Sequence, residues 1–200
     1  MNKQDILQCV VQQFHTVVLA TADQNKPMTC VMDMMDHDQD NLYFLTAVGK
    51  RLYDRLLRNP YVSLSVFKGQ DTLSSYAISI QGIAQETQYK TISELFEKNP
   101  YMWSIYPTKE SQSVLRVFRL KCLWGEWFDL RTKPVTRFSF GSPGEIYRIS
   151  EVCTLCGKCQ AVCPQSCIVQ ETTKYKIEQN HCLHCGKCME VCPVHAVERS

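Results

Sequence analysis

"CTLCGKCQAVCP" at 153–164 and "CLHCGKCMEVCP" at 182–193 are one phrase written twice. Each reads C-x2-C-x2-C-x3-C before a proline. Cys153, Cys156, Cys159 and Cys163 precede Pro164, and Cys182, Cys185, Cys188 and Cys192 precede Pro193. Closely spaced cysteines are disulfides or metal ligands, and compartment and spacing decide between them. The opening "MNKQDILQCVVQQF" has neither the long uncharged apolar core nor the small-residue cleavage site of a signal peptide. No apolar run approaches the roughly 18 residues of a membrane span. A cytoplasmic protein is therefore expected, in which thiols stay reduced and such a pattern serves metal or redox chemistry.

A structural zinc site usually takes two separated cysteine pairs. Here three cysteines recur at every third position and a fourth stands before a proline. That pattern is the bacterial ferredoxin run, whose fourth cysteine ligates the other cluster. Three close thiolates cap three irons of a cubane, and the fourth iron has to be reached from elsewhere in the chain. Cluster I is assigned to Cys153, Cys156, Cys159 and Cys192, and cluster II to Cys182, Cys185, Cys188 and Cys163. Gly157 and Gly186 fall where backbone must turn tightly around the sulfurs. Between the runs, "CIVQETTKYKIEQNHC" reads as strand 168–170, polar turn, strand 175–178. "IYRI" at 146–149 and "HAVER" at 195–199 are expected to pair as a second ribbon. Cys167 aligns with Ala196 in the repeat and is expected as a small buried residue. His181, His184 and His195 are expected as hydrogen-bonding or solvated loop residues. Residues 145–200 as a whole resemble a bacterial two-cluster ferredoxin, which implies a small α+β domain holding two [4Fe–4S] clusters.

Such a domain leaves the first 140 residues to explain. The 200-residue chain is 44% hydrophobic and 21% charged, which suits a moderate globular domain plus a small one. A net charge of +2 without a basic block makes nucleic acid a poor partner. The expected division is 1–140 and 145–200, joined through "FGSPGE" at 140–145, where two glycines and a proline interrupt the pattern. An opening helix carries Ile6, Val10 and Phe14 on one face, with Cys9 near it. "TVVLATAD", "MTCVMDMMD", "LYFLTAV", "YVSLSVF", "YAISIQGIAQE" and "VLRVFRLKCLWGEWFDL" read as strands. "GKRLYDRLLRNP" reads as a short helix with Leu52, Leu56 and Leu57 inward, stopped at Asn59-Pro60. "ISELFEKNPYMWSIYP" reads as helix broken at Pro100. Several antiparallel strands with few helices in this length suggest a small barrel. Asp33, Asp36, His37, Asp38 and Asp40 in "DMMDHDQD" are expected as an acidic hairpin turn and not as a metal site.

Lys50 and Arg51 stand at the start of their helix, where the macrodipole disfavours cations. A helix N-terminus with free N–H groups beside a lysine is, however, an anion site. Thr46 at the end of the preceding strand adds a hydroxyl, and Gly49 lies in the short loop. Two solvated basic side chains are the alternative on the local pattern alone. The order "VVLATADQNKPMTCVM", "LYFLTAVGKRLYDRLLRNPYVSLSVF", "SIQGIAQE" is similar to the pyridoxamine 5′-phosphate oxidase-like superfamily of FMN-binding split β-barrels, over roughly residues 1–130. The whole chain resembles the subgroup that adds a C-terminal two-cluster ferredoxin. The resemblance implies a mainly β split barrel with a few short helices, FMN as cofactor, and a homodimer with FMN at the subunit interface. It implies that Thr46 and Lys50 hold the FMN phosphate. Backbone at Met32, Asp33 and Met34 would run beside the isoalloxazine with Leu45 close by, and Gln81 would meet the flavin. Trp124, Glu126 and Trp127 are expected first as strand packing. The Arg-Lys pair and C-terminal substrate residues of the true oxidases have no equivalent, so oxidation of vitamin B6 is not expected.

The expected function is that of a reductase fed by a reduced carrier, with electrons passing between clusters and FMN to a small organic acceptor. An electron-transfer adaptor serving another protein, with no small substrate of its own, is the alternative. An open apolar pocket would favour the first and a closed face the second.

Overall fold

The computed structural model describes residues 1–141 and 146–199. Most of the expected linker, 142–145, lies outside the described residues. Two compact units result: Met1–Phe67 with Ala77–Glu126, and Lys68–Tyr76 with Trp127–Ser200. The second unit thus takes in chain before 140, including a loop from the middle of the first half.

In the first unit, α1 (Lys3–Cys9) opens with a capping box between Asn2 and Asp5. It runs on as a π turn over Val10–Phe14, which ends at His15 with φ 60°. Ile6 and Val10 are fully buried, and Phe14 is half-buried. β1 (Thr16–Asp23) and β2 (Lys26–Asp33) form a hairpin whose two turn residues, Gln24 and Asn25, both have positive φ. Such a turn matches the twist of paired strands. Pro27 is tolerated because β2 is an edge strand. β3 (Asp36–His37) and β4 (Asn41–Ala47) follow, then α2 (Arg51–Arg58) and β5 (Tyr61–Lys68). β6 (Tyr76–Glu86) leads to three short helices, α3 (Ile92–Lys98), α4 (Met102–Ile105) and α5 (Lys109–Gln112), and the long β7 (Leu115–Asp129).

The strands are ordered β2-β1-β5-β6-β7-β4-β3. This is the mainly β split-barrel class expected from the alternating strands. Along β4, Leu42, Phe44 and Thr46 alternate with Tyr43, Leu45 and Ala47. The second set packs with Leu95, Phe96 and Met102 of the helices. Phe44 stacks on Phe118 of β7, with ring centroids 5.5 Å apart. β6 and β7 approach so closely that a Cβ on Gly82 would meet the Lys121 carbonyl oxygen at 2.1 Å. Only glycine fits there.

One helix reading needs correction. Leu57, expected inward, is 57% exposed. The buried face of α2 is Leu52, Arg55 and Leu56, an i, i+3, i+4 stripe, so the helical period placed an arginine inward. Arg55 Nε donates to Thr21 Oγ1 at 3.0 Å, which satisfies one of its buried donors.

In the second unit, the Lys68–Tyr76 loop is held to the end of β7. Tyr76 stacks on Trp127 at 4.4 Å, and the Leu130 N–H donates to the Ser75 carbonyl at 3.1 Å. β8 (Thr136–Phe140), which pairs with β7, was not expected from the sequence. The remainder is a duplicated α+β fold. β9 (Tyr147–Ile149), α6 (Lys158–Ala161) and β10 (Ile168–Gln170) are mirrored by β11 (Tyr175–Ile177), α7 (Lys187–Glu190) and β12 (Val197–Arg199). β9 pairs with β12 and β10 with β11, which are the two ribbons expected.

Candidate functional site: two thiol-lined cavities and a cleft on the barrel

The duplication builds two cavities, each ringed by four of the eight thiols of the repeated runs. One is lined by Cys153, Cys156, Cys159 and Cys192, with Tyr175, Ile149 and Val197 behind them. The other is lined by Cys163, Cys182, Cys185 and Cys188, with Cys167, Tyr147, Ile168 and Ile177. Each ring takes three thiols from one run and the fourth from the other. The third cysteine of each run, Cys159 or Cys188, lies on the short helix α6 or α7, and the fourth follows that helix. Gly157 and Gly186 sit at φ 74° and 77° under the Tyr175 and Tyr147 hydroxyls. Among the described residues, no three His, Cys, Asp or Glu side chains converge as the ligands of one ion would. A cubane, whose four thiolates bind separate irons, takes three ligands from one run and the fourth from the other, as each ring does.

Burial pushes the Cys188 thiol up to about 11 and raises those of Cys159 and Cys182, with charge on neighbouring thiols adding to each. Thiols in such sites release protons when metal binds. Two backbone N–H groups point at ring sulfurs, Ala196 at Cys192 Sγ (3.2 Å) and His184 at Cys182 Sγ (3.4 Å). Cys167 is 2% exposed, lines the second cavity and lies 3.5 Å from Cys163 by sulfur. Its repeat partner Ala196 is equally buried. His181 Nδ1 bonds the Val135 carbonyl at 2.8 Å. The His195 N–H donates to the Cys192 carbonyl, and His184 lies edge-on to Tyr147.

In the first unit, Thr46 ends β4 one residue from Ala47, whose carbonyl accepts from the Lys50 N–H at 3.2 Å across the turn at Gly49, which has φ 87° and open space around it. Thr46 is 3% exposed and its hydroxyl has no hydrogen-bond partner among the described residues. Lys50 is the exposed N-cap of α2, and no side chain caps that helix. The first-turn N–H groups and the orphaned hydroxyl therefore fit an anion such as a phosphate ester. Leu45 follows the alternation to the opposite face of β4 from Thr46 and packs toward the helices. Met32 is half-buried on β2 opposite Val17, and Met34 is fully buried. The Met34 N–H donates to the His15 carbonyl at 2.8 Å. Asp33 accepts from Thr16 Oγ1 and Tyr101 Oη, both at 2.7 Å. Burial opposes its charge, but these bonds and nearby His15 hold it below the usual carboxylate range.

Gln81 is exposed and lines a cleft of about 460 Å³ with Thr21, Tyr61, Ser63 and Trp124. Thr21 ties this cleft to α2 through Arg55. The acidic stretch is structural. Asp36 is clamped by Lys98 (2.7 Å) and Lys90 (3.2 Å), and Asp38 accepts from Asn41 and the Tyr43 hydroxyl.

Residues 4–126 match the pyridoxamine 5′-phosphate oxidase family, and the chain belongs to it. Residues 152–196 match the 4Fe-4S dicluster domain. The protein is thus an oxidase-family barrel that carries an iron–sulfur domain at its C-terminal side. No curated protein matches the chain. Among solved structures, it is similar to a conserved hypothetical protein from Mycobacterium tuberculosis at 20% identity, covering 66% of this chain and 86% of that one, with a TM-score of 0.52. It is similar to a NimC/NimA family protein from Clostridium acetobutylicum at 17%, covering 69% and 92%, also at 0.52. A heme-binding protein from Mycobacterium smegmatis matches at 13%, covering 70% and 59%, again at 0.52. Identities this low establish the shared fold.

Sequence reasoning did not single out Arg55 or Thr21, nor the stretch around Val135 and Arg137. "RFSF" at 137–140 alternates polar and apolar residues and carried the missed strand signal.

Proposed function

We propose that this protein is an iron–sulfur flavoprotein oxidoreductase that passes electrons between two [4Fe–4S] clusters and FMN and reduces a small organic acceptor. Its donor is a reduced electron carrier, and it works in the cytoplasm as a homodimer with FMN at the subunit interface. The carrying observation is the pair of four-thiol rings, built by a dicluster domain on the same chain as an oxidase-family barrel. When bound, clusters supply single electrons and a flavin supplies two, and the protein contributes binding, orientation and electrostatics.

Cys153, Cys156, Cys159 and Cys192 would hold one cluster, and Cys163, Cys182, Cys185 and Cys188 the other. Thr46 and Lys50 would hold the FMN phosphate, with Met32, Asp33, Met34, Leu45 and Gln81 about the ring system. The orphaned Thr46 hydroxyl supports the phosphate reading. The open cleft at Gln81 lies in the size range of small-molecule sites, which supports a small acceptor over a closed adaptor.

The test is anaerobic purification of the full chain, with flavin, heme and iron–sulfur absorbance recorded together. Stopped-flow reduction by a one-electron donor then compares it with a cluster-free Cys156→Ser/Cys185→Ser variant. Faster flavin bleaching in the wild type, at a rate independent of protein concentration, is expected. Heme in place of flavin, or equal bleaching rates, would overturn the proposal.

A further inference from the structure

The two cysteine runs are matched in their glycines, their backing tyrosines and the lysine after each glycine, Lys158 and Lys187. They are not matched in what lies over them. The stretch Val135–Arg137 is fastened to the second cavity's ring by three bonds. The Val135 N–H donates to Gln165 Oε1 at 2.8 Å, two residues past Cys163. Its carbonyl is bonded by His181 at 2.8 Å, one residue before Cys182. Arg137 Nη1 donates to the carbonyl of Cys182 itself at 2.6 Å. Arg137 is half-buried, with the Phe128 ring centre 5.8 Å from its guanidinium carbon. Among the described residues, no side chain donates to the corresponding carbonyl of Cys153.

From this asymmetry we infer that Arg137 is a positioning and tuning residue that makes the Cys163/Cys182/Cys185/Cys188 site the first of the two to accept an electron. The inference rests on the two-cluster reading. A cluster's potential follows the charge and hydrogen bonding around it. Groups just outside the ligands tune a metal site much as the ligands do. An arginine donor is always charged, and its bond to the carbonyl is charge-assisted. Partial burial keeps its field from being screened as it would be in bulk water. Adding one electron from an external one-electron reductant makes the site more negative by one charge, with no bond made or broken and no proton required. A fixed cation on one ligand's backbone favours that change at its own site over the other.

The experiment is a redox titration of the full chain, followed by electron paramagnetic resonance, for wild type, Arg137→Gln and Arg137→Lys. Iron and sulfide are measured on each sample. Wild type is expected to show two waves. Arg137→Gln should weaken the upper one by about tenfold, which is about 59 mV for a one-electron couple, and leave the lower in place. Arg137→Lys should restore most of the shift. A single wave in wild type, both waves moving together in Arg137→Gln, or Arg137→Lys behaving as Arg137→Gln overturns the inference. A wild type that binds neither iron nor sulfide overturns the two-cluster reading instead.

Discussion

The Tyr147 hydroxyl lies over Gly186 so closely that a Cβ there would stand 3.0 Å from it, while Tyr175 leaves 3.5 Å over Gly157. Both glycines are left-handed, at φ 77° and 74°. Gly186→Ala should cost about 1–3 kcal/mol from backbone strain, with the tyrosine contact added. Gly157→Ala should cost the strain alone. Urea melts of both variants, with iron content, check the ranking. Equal losses would mean that the tyrosine contact contributes nothing.

The crossed rings give a pattern of loss that sequence neighbours would not. Cys192→Ala should remove the cluster of the first run, and about half of the iron and sulfide should remain. Spectra of the surviving cluster should match those of a Cys156→Ser variant and differ from those of Cys185→Ser. A Cys192→Ala protein that resembles Cys185→Ser would show the rings to be uncrossed.

Lys50 at the uncapped start of α2 predicts a selective effect. Lys50→Ala should weaken FMN by about 1.5–3 kcal/mol and leave riboflavin nearly unchanged, because a charge-assisted phosphate contact is lost. Fluorescence titration of both flavins measures it. An equal loss for both would assign Lys50 to folding.

Asp36 sets an acid limit on the first unit. Burial raises its pKa, but hydrogen bonds from Lys98, the His37 N–H and Lys90, with the charge of Lys98, outweigh this and hold it below the ordinary value. A depressed folded-state pKa contributes stability above the unfolded value of about 3.9 and loses it as pH falls through the folded value. Asp36→Asn should therefore cost about 1–3 kcal/mol at neutral pH and flatten the decline in stability below about pH 4. Chemical melts from pH 3 to pH 7 test both parts. A parallel offset at every pH would remove the charge from the explanation.

What the sequence revealed follows the range of the interactions. The convergence of thiols was legible because ligand spacing is local and the run repeats. Most strands were legible from their alternation, β3 and β8 excepted, and the two ribbons from short apolar runs on either side of the cysteines. Arg55 was not, since an arginine is not read as a core residue until the period of α2 sets Leu52 and Leu56 beside it. The cleft was not legible either, because Thr21, Tyr61, Gln81 and Trp124 come from four different strands. Val135 and Arg137 find their partners at Gln165, His181 and Cys182, far along the chain, and no local pattern encodes those bonds.

The membership of Lys68–Tyr76 in the second unit bears on synthesis. A chain emerging from the ribosome folds its N-terminal parts first. The first unit is complete once Glu126 is out, and its strands can close around Phe44 and Phe118. The loop at Lys68–Tyr76 has by then long emerged, and its stacking partner Trp127 arrives only afterwards. Cys192, the last thiol of either ring, comes later still. The residues of the first unit have thus all emerged before the first thiol of either ring, Cys153. A nascent chain stalled before Cys192 would hold one complete ring of four thiols and one open ring of three.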